Sequence, residues 1–361
     1  MPSKPATKSS WVDQIQAQSK KDARTQPWKK TLGESYNKGK DGEDWIDLKQ
    51  EYNERIGIPA KRTKDDIKKH RDCANQFPWY SSLVGTYRAI MAHDEEASLM
   101  YIQWDDLYNT EKPFQIFSPI PDDAADQRRA NIHFVCGKPE KIIDARPDID
   151  SYSLDTHGFA FRNYPTRFQR FDSAADVEDT YLPELEQKNR DMSKQVETCI
   201  NAADKTRSFL PASQVHVDQA PSAVVSRAHL HLPDKAEHLL QGRVRVVNIW
   251  RPIADVVEDV PLALCDARTI TLDDMLETDH VRKHYLGATM YAMAREKYRW
   301  YYLHRQRKDE VTLLKMFDSD PEVEGKCCPH ASFRHSNVPE NVIPRESIEV
   351  RALIFSEVPQ E

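Results

Sequence analysis

Glycine is scarce, at 10 residues in a chain of 361. No GxGxxG, no GxSxG and no GxxxxGK followed by Ser or Thr occurs, so the common dinucleotide turn, nucleophile elbow and phosphate-cradling loop have no sequence support. Long apolar runs are missing as well. None approaches the roughly 20 residues needed to cross a bilayer, and the start, MPSKPATKSSWVDQ, lacks the apolar stretch of a secretory signal. The expectation is a cytoplasmic protein with no membrane partner. The six cysteines, at 73, 136, 199, 265, 327 and 328, are irregularly placed and contain no CxxC pair, which argues for reduced thiols over a disulfide framework. A long basic run is absent too. Residues 1–75 hold 17 Lys and Arg against 12 Asp and Glu, while the remainder holds 34 against 46 within a net charge of -7. An acidic body is a poor phosphate binder, so nucleic acid is not expected as the main partner.

What is present is enough for a core: 39% of the residues are hydrophobic under a highly charged surface. Residues 1–96 read as a polar, partly helical extension with scattered Trp11, Trp28 and Trp45. From residue 97 to 361 the texture becomes short strand-like runs broken by Pro and Asp: 97–104, 113–119, 131–136 and 141–146, then a turn-rich segment over Leu154–Phe159. Periodic apolar positions at Tyr181, Leu185, Met192, Val196 and Ile200 predict a helix through 176–205, packed on the outside of a sheet. Strands are then predicted over 212–217, 224–230, 244–250, 261–264, 300–303, 311–317 and 348–355, with one helix over 279–298. There is no βαβ rhythm and no internal repeat. Many short strands joined by irregular loops point to a mainly β protein with a double-stranded β-helix, or jelly-roll, core and flanking helices.

The most informative tripeptide is His216-Val217-Asp218. Alternation along a strand puts residues i and i+2 on one face. An imidazole and a carboxylate so placed, joined by a distant histidine, make the facial triad that holds Fe(II) and leaves positions open for a co-substrate and dioxygen. A late histidine segment, Cys327-Cys328-Pro329-His330 through His335, lies about 110 residues downstream, and an Arg-bearing strand over 344–355 follows. That is the order a 2-oxoglutarate oxygenase requires. Its co-substrate chelates iron through the keto-acid end, and its far carboxylate needs a buried cation, for which a guanidinium is best. Arg345 and Arg351 are the candidates, sharing one strand face. Arg345 is favoured because Ser347 could add a hydroxyl to the same carboxylate.

The segment from about residue 98 onward resembles the fungal gibberellin-desaturase-like hydroxylase/desaturase family, itself similar to the cephalosporin methoxylation proteins. The pieces that carry the resemblance are Asn131–Phe134 with Asp144–Arg146, Asp155–Phe159, His216–Asp218, Asn248–Ile253 with Pro261–Asp266, Trp300–Tyr302 with Asp309-Glu310 and Phe317–Ser319, Pro329–Phe333 and Arg345–Arg351. The resemblance implies non-haem Fe(II)/2-oxoglutarate chemistry with dioxygen in fungal secondary metabolism: hydroxylation, desaturation or a related oxidation of an unactivated carbon in a small molecule. It also implies His330 as the distal ligand. The N-terminal extension has no counterpart in the family.

Other readings compete. His335 could replace His330, though five residues apart the two cannot face the same way from one strand. Cys327, Cys328, His330 and His335 could form a zinc cluster, but adjacent cysteines chelate awkwardly. His229 and His231 would share a strand face, and His280 and His284 would sit at i, i+4 on a helix, yet neither pair has a completing acid. Arg251 reads either as a pocket cation or as a structural one. Trp250, Tyr301 and Tyr302 read as core aromatics, and Asp266 and Asp318 as turn or strand-end residues. Asp218 fills the carboxylate position that a halogenase leaves to halide. The rival functions are a jelly-roll binding protein without redox activity and an iron oxygenase that does not use 2-oxoglutarate. Self-association into a homo-oligomer is left open by the sequence.

Overall fold

Short apolar runs punctuated by Pro, Asp and Gly become strands because the pleated backbone lets them bury one face. The computed structural model describes residues 93–361 except 121, 170, 172, 187–196, 202–210, 255, 283–284 and 357–361. The extension expected over 1–96 therefore lies, up to residue 92, outside the described residues. The strands are β1 (Glu95–Ile102), β2 (Phe114–Ile116), β3 (Phe134–Asp144), β4 (Phe159–Asn163), β5 (Glu197–Asn201), β6 (His216–Val217) and β7 (Arg243–Pro252). They continue as β8 (Leu262–Cys265), β9 (Met275–Arg282), β10 (Tyr285–Ala292), β11 (Trp300–Tyr302), β12 (Glu310–Asp318), β13 (His330–Ser332) and β14 (Ser347–Ser356).

Among the described residues these strands form a nine-stranded sheet, ordered β1-β3-β11-β8-β13-β6-β10-β9-β2, and a five-stranded sheet, ordered β4-β12-β7-β14-β5. This is the mainly β, jelly-roll architecture expected. One face of the smaller sheet, with Val247, Ile249, Leu313, Val350 and Ala352, packs on Tyr181 and Leu185 of the helical segment at residues 174–186. Burial of each Val, Ile or Leu side chain there is worth about 1.5–3 kcal/mol. Alternation then turns Asn248, Trp250, Glu349 and Arg351 to the opposite face, toward the larger sheet.

Three expectations are corrected. Residues 224–230 are helix, within Pro221–His231. Pro221 at the first helical position presets φ, and Ala223, Val224, Val225 and Ala228 are the buried side of the turns. A short apolar run alone cannot distinguish this from a buried strand. Residues 279–298 are not helix: they belong mostly to the β9–β10 hairpin, paired from Met275↔Ala292 to Arg282↔Tyr285. Leu286, Met290 and Met293 fit a helical stripe, but Leu286, Ala288, Met290 and Ala292 also alternate, and pairing with β6 and β9 decides for the strand. The helix predicted through 176–205 is present as far as residue 186; residues 187–196 and 202–205 lie outside the described residues, and 197–201 form β5, which pairs with β14 along the edge of the smaller sheet. Among the described residues no helix is long and apolar enough to cross a membrane.

Candidate active site

β13 and β6 are adjacent antiparallel strands, and His330 and His216 are register partners on them. Their rings therefore lie side by side, with centroids 4.5 Å apart. Asp218, two residues beyond His216, turns to the same side. Its Oδ1 is 3.4 Å from His216 Nε2 and its Oδ2 is 3.7 Å from His330 Nε2. One ligand atom from each of the three residues falls within 4.8 Å of the others, the only such group among the described residues.

The backbone decides which nitrogen each ring presents. His216 Nδ1 lies 2.7 Å from the Gln214 carbonyl and His330 Nδ1 lies 3.1 Å from the Cys328 carbonyl. A carbonyl accepts only, so each Nδ1 carries a proton, and in the neutral ring each Nε2 has its lone pair facing the gap. Burial, with the neighbouring His216 next, pushes His330 down to about 4, which keeps it neutral. Burial works against charge on His216, but its hydrogen bond to Asp218 and that carboxylate's charge outweigh it and raise its pKa. Burial alone would raise Asp218; the Arg351 guanidinium, then His216 and His330, hold it well below the usual carboxylate range. Lone pairs on two imidazoles and one ionised carboxylate suit a divalent transition metal.

His330 is held from behind by a buried charge cluster. The Cys328 amide donates to the Lys315 carbonyl, and the Cys265 amide donates to Pro329. The Lys315 ammonium, with a side chain 0% exposed, bonds Asp155 at 2.8 Å and Asp318 at 2.5 Å. Arg243 joins both carboxylates. Gly158 accepts the Lys315 amide and sits at φ 79°, where a Cβ would come 2.9 Å from the Cys327 carbonyl oxygen. The Asp155–Phe159 turn thus abuts the segment that delivers the distal histidine.

The smaller sheet supplies the opposite wall. Asn248 Nδ2 donates to Asp218 Oδ2 at 2.6 Å and to Glu349 Oε1 at 2.8 Å, while Arg351 Nη2 lies 3.1 Å from Asp218 Oδ2. Burial, then the charge of Asp218, pushes Glu349 up to about 8. Arg345 occupies a different spot. Its Nη1 donates to the Val260 carbonyl at 2.7 Å and to Ser332 Oγ at 3.1 Å, and its guanidinium lies 5.4 Å from the centre of the Trp250 ring. Arg345 Nε is buried without a hydrogen-bond partner, and the carboxyl groups of Asp259 and Glu349 favour the guanidinium's charge from a distance without outweighing its burial. Among the described residues Ser347, opposite Pro252, makes no side-chain hydrogen bond; Ser332 takes the hydroxyl role toward Arg345.

Other candidates fall elsewhere. Arg251 points to the outer face of β7 and donates to Tyr181 Oη and to the carbonyls of Tyr164 and Lys308, so it is a structural cation and not a pocket one. His335 packs near His304 and Tyr302, 3.3 Å from Glu95. Cys327 and Cys328 form no metal-holding group; Cys328 is buried and its thiol points to the carbonyls of Cys265 and Pro329. His229 and His231 lie on a helix, so the shared strand face does not exist. His280 is on β9, 3.3 Å from Tyr291 Oη, and His284 lies outside the described residues. Asp266 caps a short turn and pairs with Arg268. Trp250, Tyr301 and Tyr302 pack in the interior, with Tyr301 against Tyr152 and Phe159.

The sequence reading missed Asn248, Glu349 and Ser332. Each left a signal: Asn248 interrupts an apolar strand, Glu349 stands at i-2 from Arg351, and Ser332 stands at i+2 from His330 as Asp218 does from His216.

Known proteins are similar to this chain over most of its described length. The family profile described as "Oxidoreductase/YMDC permease-like domain" matches residues 99–355. The Fe(II)/2-oxoglutarate-dependent dioxygenase nvfI of Aspergillus novofumigatus is 33% identical over 276 residues, covering 72% of this chain and 96% of that protein. The hydroxylase/desaturase CTB9 of Cercospora beticola is 31% identical over 250 residues, covering 60% of this chain and 76% of its own length. Among solved structures, the iron and alpha-ketoglutarate-dependent endoperoxidase NvfI superposes with a TM-score of 0.63 at 31% identity, covering 73% of this chain and 98% of that one. The chain belongs to the fungal family of Fe(II)/2-oxoglutarate-dependent dioxygenases and hydroxylase/desaturases, enzymes of secondary metabolism that work with Fe(II), 2-oxoglutarate and dioxygen.

Proposed function

We propose that His216, Asp218 and His330 hold the iron through Nε2, Oδ1 and Nε2, and that Arg345 with Ser332 receives the far carboxylate of 2-oxoglutarate. The observation that carries the ligand set is the commitment of both Nδ1 atoms to backbone carbonyls, which leaves two lone pairs and a carboxylate facing one gap. Bound there, iron and 2-oxoglutarate supply oxidative decarboxylation to succinate and carbon dioxide, with the oxidising power to remove hydrogen from an unactivated carbon.

The protein's own residues orient the reactants. Ser332 stands two residues from His330 on the same strand face, about 6.6–6.8 Å along β13. That distance suits a five-carbon dicarboxylate chelated at one end beside His330 and gripped at the other by Arg345. The orphaned Arg345 Nε is the donor such a carboxylate would satisfy. Arg351 is already turned to Asp218, which leaves Arg345 as the cation for the co-substrate. Asp218 fills the third ligand position, so a halide has no place there and the supported outcome is hydroxylation or desaturation of a small fungal metabolite.

Anaerobic Fe(II) plus 2-oxoglutarate tests the reading. Wild-type protein is expected to develop a weak visible charge-transfer band that needs both additions, and His330→Ala and Asp218→Ala are expected to lose it. A full band in either variant would overturn the ligand assignment. Metabolite profiling of a deletion strain, followed by succinate release with the accumulated compound, identifies the substrate.

A further inference from the structure

Asp218 is gripped from the opposite sheet. Asn248 and Arg351 are register partners on β7 and β14, and both reach Asp218 Oδ2, at 2.6 Å and 3.1 Å. The Asn248 amide is itself fixed, because its Oδ1 accepts a hydrogen bond from Arg351 Nε at 2.9 Å. A flip would aim the amide oxygen at the Asp218 carboxylate and set the amide NH₂ against a guanidinium that can accept nothing. Asn248 is 0% exposed and Arg351 7%, so water cannot readily stand in for either. The two oxygens of Asp218 are thereby unlike: Oδ2, 3.7 Å from His330 Nε2, is taken up by two donors from the smaller sheet, whereas Oδ1, 3.4 Å from His216 Nε2, receives neither of them.

We propose that Asn248 and Arg351 form a clamp that engages Oδ2 and commits Asp218 to bind the metal through Oδ1 alone. A carboxylate free to rotate can chelate a divalent ion with both oxygens. Chelation of that kind would leave two positions where a facial triad leaves three, enough for 2-oxoglutarate and none for dioxygen. Asn248 and Arg351 are positioning residues: they act on the metal through Asp218. The inference rests on the assignment of His216, Asp218 and His330 as iron ligands and extends it to what keeps the site open.

The full-length protein, freed of metal, is titrated with Co(II) alone. In parallel, the anaerobic Fe(II)·2-oxoglutarate protein is exposed to nitric oxide, a dioxygen surrogate whose iron adduct gives a characteristic electron paramagnetic resonance signal. Asn248→Ala and Arg351→Met are expected to weaken Co(II) binding roughly 10- to 100-fold, the usual effect of losing a group that orients a ligand. They are also expected to give less nitric oxide signal per bound Fe(II). Arg351→Lys keeps a cation near Oδ2 but loses the fork to Asn248, so it should fall between wild type and Arg351→Met; it carries the test if either truncation fails to fold. Variants that melt earlier yet match wild type in Co(II) affinity and nitric oxide signal would overturn the clamp, because that is what a merely structural role gives. If wild type and His330→Ala take up Co(II) alike, the iron-ligand assignment itself falls, a result distinct from an idle clamp.

Discussion

Replacing Arg345 by Met removes a buried guanidinium that donates to Val260 and Ser332 and leaves the aliphatic stem over Trp250. The ligand-free protein should lose little stability. Two hydrogen bonds disappear, but so does the cost of a buried cation that the charges of Asp259 and Glu349 offset only in part. The effect should appear only when 2-oxoglutarate binds. Its far carboxylate would then enter a dry site without a partner, a loss of about 2–5 kcal/mol for a buried, hydrogen-bonded charge pair. That corresponds to roughly 30- to 4,000-fold weaker binding. The assay is anaerobic titration of 2-oxoglutarate into Fe(II)-saturated protein, read by the visible charge-transfer band. Arg351→Met serves as the contrast, since its guanidinium contacts Asp218 and Asn248: once iron is saturating, its 2-oxoglutarate affinity should stay within a few-fold of wild type. A reversal, with Arg345→Met binding normally and Arg351→Met failing, would refute the assignment of the co-substrate carboxylate and the spacing argument from Ser332.

Further outcomes are expected. Asp318→Asn leaves the fully buried Lys315 short of its partner at 2.5 Å and should cost about 3–5 kcal/mol in thermal or urea unfolding. Burial raises Asp318 and Asp155, but Arg243 and Lys315 outweigh it and hold both below the ordinary carboxylate range. The stability they contribute is therefore present above about pH 4 and fades as pH falls through their folded values. Asp318→Asn should flatten that acid limb, and an unchanged limb would contradict it. Gly158→Ala, at φ 79° and with a Cβ 2.9 Å from the Cys327 carbonyl oxygen, should cost more than the ~1–2 kcal/mol left-handed penalty and melt earlier; wild-type melting would show that the turn relaxes freely. His335→Ala, whose ring faces Glu95 and not the triad, should retain the Fe(II)·2-oxoglutarate band that His330→Ala loses. Peptide mapping after thiol labelling should find Cys136 modified in the folded protein, and Cys265 and Cys328 modified only after unfolding, because burial raises both thiols.

The primary sequence by itself carried the chemistry. His216-Val-Asp218 shows its shared face through the two-residue period of a strand, and short runs broken by Pro and Asp announce β structure wherever the neighbours are also strands. Local pattern was insufficient where two periods fit one stretch. Residues 285–293 suit a helix or a strand until β6 and β9 flank them, and 224–230 suit a buried strand until Pro221 starts a helix. The companions of the triad were decided only in three dimensions. Arg251 and Asn248 lie three residues apart on β7, which places them on opposite faces, so one braces the exterior layer and the other reaches Asp218. Which arginine meets which carboxylate, and which serine meets Arg345, depends on how the two sheets stack, because these contacts join strands some 13 to 133 residues apart along the chain. Residue type and spacing set what the side chains can do; the packing of one sheet on the other set which of them meet.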